Sequence, residues 1–233
     1  ANSWMLMVGA IGMLSSSLPV QYFLPLVGWR AIFLCLAFLT FVCILLIIAF
    51  IPKWQSKSID NKHLNESKLS TVWNNPLFKS LVPMGFFSYG GLFAIQTLWA
   101  GPWMIRVSGY TPEESARGLF IIYLCMLISF LVWGYFVPKF SKNVNDAIRL
   151  LKIGAPINLF VLIIIIYLGP KAGFIHWALF IVSSIFLSLT QPAVGMAFSI
   201  SNAGKALTSF NLLIFIGAFF IQWIIGLIID AGI

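Results

Sequence analysis

Long apolar runs separated by short polar segments organise this chain. Seven stretches keep their charges at or near the ends: Trp4 to Val27, Ala31 to Ile51, Leu77 to Met104, Arg117 to Val137, Leu150 to Leu168, Phe174 to Phe198 and Ala206 to Ile229. Each is close to the roughly 20 residues that an α-helix needs to cross the hydrocarbon core. Membrane β-strands would instead alternate polar and apolar positions over about 10 residues, and the run Val161-Leu162-Ile163-Ile164-Ile165-Ile166 does not alternate. The pattern predicts an all-α, multi-pass membrane bundle of about seven transmembrane helices.

The boundaries carry helix-start chemistry. Thr111-Pro112-Glu113-Glu114 places a capping hydroxyl, a proline at the first helical position and two acids in the first turn, each favourable there. Asn75-Pro76 repeats the cap-then-proline order before the third span, and Asn145 or Asp146 is the expected cap of the fifth. Trp4, Trp29, Trp54, Trp73, Trp103 and Trp177 fall near span ends, where an aromatic belt belongs.

Composition narrows the class. Of 233 residues, 61% are hydrophobic and 9% charged, against about 25% charged in a soluble domain. So few charges cannot cover a water-facing surface, which sets aside a soluble enzyme, a nucleic-acid module and a disordered tail. The net charge of +8 bears on orientation, because cytoplasmic loops are enriched in Lys and Arg. Lys53, Lys57, Lys62, Lys68, Lys79, Lys139, Lys142, Arg149, Lys152 and Lys205 fall on one side, and Arg30, Arg106, Arg117 and Lys171 on the other. Ten against four puts the N-terminus of the chain in the cytoplasm and its C-terminus outside. Seven-helix receptors and retinal proteins have the opposite orientation. The opening Ala-Asn-Ser-Trp has neither a Met nor a basic n-region, so the chain reads as a piece of a longer protein.

These residues resemble the major facilitator superfamily of secondary transporters, helices five to eleven of twelve. Gly28-Trp29-Arg30 looks like the Gly-Trp-Arg that opens the sixth helix of such transporters. Gly134-Tyr135-Phe136-Val137-Pro138-Lys139 is similar to the Gly-x-x-x-Asp-Arg/Lys signature after the eighth helix; Gly134 and Lys139 match, and Pro138 replaces the acid. Gly204-Lys205-Ala206, Asn211 and Gly217 resemble the start of the eleventh helix. The Gly-Pro antiporter motif is not met, because Leu18 stands before Pro19. The resemblance implies residues 1–52 as the last two helices of an N-terminal bundle. It implies 53–75 as a cytoplasmic inter-bundle loop and 76–233 as five helices of an incomplete C-terminal bundle. It implies alternating access and a bacterial inner membrane. The partners would be a small solute, a coupling proton or ion, the lipid bilayer and the remaining helices of the same protein.

No Asp, Glu, Lys or Arg lies deep in a span, so the visible spans contain no obvious proton relay. The resemblance makes the third and sixth spans cavity-facing. The third offers Tyr89, Gln96, Trp99 and Trp103, spaced seven, three and four apart on one helix face. The sixth offers Thr190 and Gln191, followed by Pro192, which removes a backbone donor. Gln21 and Asn211 are further substrate candidates, with interhelical hydrogen bonding as the alternative for Asn211 and Gln222. Asn158 reads as structural glue. Gly9, Gly12 and Ser16 form a small-residue face that permits close helix approach, and the resemblance implies that the first span meets the fourth across the bundle interface. Cys35, Cys43 and Cys125 lie in apolar runs, and His63 and His176 have no second ligand at metal spacing, so no metal, cofactor or catalytic residue is expected. A membrane-embedded enzyme remains an alternative, as does a non-transporting scaffold or receptor. The enzyme would need a nucleophile with its base, and Ser15-Ser16-Ser17 has none within its span.

Overall fold

The computed structural model describes residues 2–50 and 69–232, with the backbone alone given for residues 2–4. The polar stretch from Lys53 to Lys68 lies outside the described residues. Among those described, the regular elements are all helical. They are α1 (Asn2–Ser15), α2 (Leu18–Phe50), a short α3 (Leu69–Trp73), α4 (Pro76–Arg106), α5 (Pro112–Phe140), α6 (Val144–Lys171), α7 (Phe174–Met196) and α8 (Ile200–Gly232). Six of these, α2 and α4 to α8, are long and apolar enough to span a bilayer.

The difference from seven spans has a local cause. The first expected span breaks at Ser16-Ser17. There Ser15, Ser16 and Ser17 donate their hydroxyls to the carbonyls of Ile11, Met13 and Leu14 at 2.9, 2.8 and 2.7 Å. Such back-bonding competes with helix continuation, and Pro19, without an N–H, suits the first turn of a new helix. The boundary between the first two spans is a single residue inside α2. Gly28 has φ 75° and ψ 161°, a conformation open to glycine and strained for any other residue. The Gly-Trp-Arg triplet therefore turns the chain, and Arg30 sits over the Trp29 ring at 5.3 Å.

Two caps form as the sequence anticipates. Asn75 Oδ1 accepts from the Leu77 and Phe78 amides at 2.9 and 3.1 Å. Thr111 and Glu114 make a reciprocal capping box. The cap of α6 is Asn143 instead of Asn145 or Asp146. Its Oδ1 accepts from the Asp146 amide at 3.0 Å, and Asp146 in turn accepts from the Lys142 amide at 3.1 Å.

Helix packing follows from where small residues stand. α1 lies against α5, α5 and α6 lie against α7, and α8 packs along α4 and the end of α7. The α4–α8 crossing is close: a Cβ on Gly90 would stand 2.8 Å from the Ala218 nitrogen, and one on Gly217 would collide with the Phe86 carbonyl. On α6, a Cβ at Gly154 would collide with the Phe186 side chain of α7. Beside it Asn158 donates to the Phe180 carbonyl at 3.0 Å and the Ser183 hydroxyl at 2.9 Å, an inter-helix link. Gly9 and Gly12 have nothing within 4 Å of where a Cβ would be, while Ala10 between them is fully buried. At one end of the bundle Phe78 is enclosed by Trp73, Phe198 and Phe210. α3 thus brings a buried Val72 and part of an aromatic cluster into a segment expected to be loop. α2 has no buried residue.

Candidate functional site

Both helices that the resemblance makes cavity-facing change their winding within the span. α4 contains π turns over Met84–Tyr89 and Ile95–Trp99. In the second, the Ala100 amide bonds to Ile95 O, one residue further back than in an α-helix. The Gln96 carbonyl accepts the Tyr123 hydroxyl of α5 at 2.8 Å. In the first, the Gly90 amide bonds to Gly85 and Phe87, and the Phe86 carbonyl lies against Gly217. α7 tightens into a 3-10 turn over Ser184–Leu189 before resuming as Thr190–Met196. Ser184, Ser188 and Thr190 each donate to a carbonyl three residues back, at 2.6 Å. Pro192 has no N–H to offer the Ser188 carbonyl.

Between these helices lies a cavity of about 720 Å³, lined by α1, α4, α5, α7 and α8. That is within the range of roughly 300–1,000 Å³ usual for small-molecule sites. Most of its wall is apolar, including Met5 and Met13 of α1, Met126 and Phe130 of α5, Phe93 of α4 and Phe215 of α8. Its polar residues are Tyr89, Gln96, Ser129, Ser184, Ser188, Gln191 and Asn211. No charged residue is among the described residues that line it.

Of the residues singled out in the sequence, Tyr89, Gln96, Gln191, Asn211, Pro192 and Gly9 meet at this cavity. Gln96 is buried, and its amide nitrogen lies 3.9 Å from the Met13 sulfur. Gln191 Nε2 donates to Asn211 Oδ1 at 2.7 Å, joining α7 to α8. Thr190 is fully buried one residue away, with its hydroxyl committed to Leu187. Trp99, Trp103 and Gln21 are not in the lining. Trp99 turns toward Gly226 of α8, and Trp103 stacks edge-on with Trp177, ring centroids 5.8 Å apart. Gly12 is exposed on α1. Gly28, Trp29 and Arg30 mark the turn in α2, and Lys139 sits 3.9 Å over the Tyr135 ring beyond Gly134. Gln222 donates to Thr97 at 3.0 Å, a packing contact between α8 and α4.

Sequence reasoning passed over α1 and α5 as walls. Met13, Met126 and Ser129 line the cavity, and Tyr123 braces the Gln96 backbone. A hydroxyl in the middle of an apolar run was the available signal for Tyr123. The methionines had none, being ordinary members of apolar spans.

Membrane-length helices arranged around an uncharged cavity define a polytopic, integral membrane protein. The sequence model of the Major Facilitator Superfamily matches residues 1–226, and the chain belongs to that family. It is a transporter of that superfamily with an all-α, partial superfamily fold. No curated protein and no solved structure gives a match.

Proposed function

We propose that this transporter moves a small solute across a bacterial cytoplasmic membrane by alternating access, with Tyr89, Gln96, Gln191 and Asn211 contacting the solute. The observation that carries the reading is the convergence of three amide side chains from α4, α7 and α8 on one largely apolar cavity. A few placed polar groups in an apolar wall are what a small-molecule site requires. Irregular winding in both α4 and α7 beside that cavity supports the same reading, because transporters build their sites from interrupted helices. Residues 1–52 and 76–233 then belong to two bundles that rock against each other, joined by a cytoplasmic segment at 53–75.

Counterflow in proteoliposomes holding the full chain tests this, using a panel of labelled sugars, organic acids and neutral aromatic compounds. Saturable counterflow of at least one solute is expected. Gln96→Leu should raise its KM about tenfold, the effect of losing one buried hydrogen-bonding group. A panel without saturable counterflow overturns the proposal.

A further inference from the structure

The amide pair Gln191–Asn211 has more to offer than its own hydrogen bond. Gln191 Nε2 donates to Asn211 Oδ1, which leaves the Gln191 carbonyl oxygen as an acceptor and the Asn211 amide nitrogen as a donor. Reversing both amides leaves the same complement, one donor and one acceptor side by side. Both residues line the cavity. Phe215 follows Asn211 by one helical turn on the same face of α8. Its ring lies 6.1 Å from that of Phe93, which lies 5.6 Å from that of Tyr89. A paired donor and acceptor thus stands beside an aromatic wall.

The rest of the cavity selects against other solute classes. A carboxylate would leave water for a lining that has no cationic residue among those described, a costly transfer without a partner. A polyol would need many partners of both kinds, and the Ser184 and Ser188 hydroxyls already donate to Ile181 and Ile185, so they can only accept.

We infer that the Gln191–Asn211 pair is the specificity element for an uncharged solute bearing an amide-type group, N–H beside C=O, on an aromatic body. This rests on the transport reading for its biological sense, but not for its test. Binding to the purified full chain is measured with three probes: 2-naphthamide, N,N-dimethyl-2-naphthamide, which lacks the donor, and 2-naphthoate, which is anionic. The first should bind about tenfold or more tighter than either of the others. Gln191→Met and Asn211→Leu should each reduce that preference to about twofold or less, while Phe215→Ala should weaken both naphthamides alike. Equal or tighter binding of naphthoate, no binding of any probe, or a preference that survives both variants overturns the inference. If a variant does not fold, the ranking of the three probes on the unaltered chain decides alone. Selective amide binding without counterflow would sink transport and leave this site standing. Counterflow of a sugar or an acid without amide preference would do the reverse.

Discussion

At Gly217 a single added methyl group would collide with the Phe86 carbonyl, a backbone atom that cannot swing aside. Gly217→Ala should therefore destabilise the detergent-solubilised protein by about 1–3 kcal/mol, the usual cost of overpacking. Gly12→Ala should stay within about 0.5 kcal/mol, as surface changes do, because its Cβ would enter open space. Thermal unfolding of the two variants side by side checks the contrast. Gly12→Leu extends it: a transport defect in that variant, with folding intact, would show that α1 makes a closer approach in another conformation. Asn158→Leu removes two hydrogen bonds between α6 and α7 and should cost on the order of 0.6–1.7 kcal/mol. The sequence made Asn158 legible because an amide in an apolar run needs a partner. It could not distinguish Gly12 from Gly217, since a glycine carries no sign of which neighbour it admits.

At the scale of single helices, start signals were readable and interior winding was not. Thr111-Pro112-Glu113-Glu114 sets its own cap through contacts three residues apart, so local sequence suffices. Thr111→Val should cost about 0.5–2 kcal/mol, read by thermal unfolding. The Thr111 backbone N–H and hydroxyl, donating to Glu114, hold its carboxyl below the ordinary carboxylate range, and Arg117 adds to this. Glu114 lies in the exposed turn before the apolar part of α5. A lowered pKa stabilises the folded state fully above the ordinary value of about 4.3, and the gain is lost as pH falls through the lowered one. Glu114→Gln should therefore flatten the acid limb of the stability profile, and an unchanged limb would rule this contribution out. At α-helical spacing Tyr89, Gln96, Trp99 and Trp103 share one face. The π turn over Ile95–Trp99 widens the helix between Gln96 and Trp99. The first two residues therefore line the cavity, while the two tryptophans turn to α8 and to Trp177. Nothing in single-residue propensities announces a π turn.

For the whole molecule, the multi-pass helical class came from apolar length, which a bilayer enforces on every span, while the count did not. Seven expected spans became six membrane-length helices among the described residues, because apolar length does not show the break at Ser16-Ser17. The cavity came from contacts between distant segments and was legible only where family resemblance pointed to particular helices. Sidedness is the molecular-scale expectation most open to test. With Cys35, Cys43 and Cys125 replaced by alanine, cysteines at Lys142 and at Ser108 should react with an impermeant thiol reagent from opposite faces of the membrane, the former from the cytoplasm. Labelling of both from one face would overturn the ten-to-four reading.

The π turns of α4 also bear on how the site tolerates a change in the number of residues, apart from which residues they are. Each residue turns an α-helix by about 100°, whereas a π turn takes one residue more between its bonded groups. Deleting Phe87, an exposed residue of the first π turn, would let that turn close as ordinary α-helix and leave Gln96 pointing as before relative to Phe78. Such a deletion removes no side chain from the cavity and should leave solute recognition intact. For this helix the π turn is a reserve of one residue.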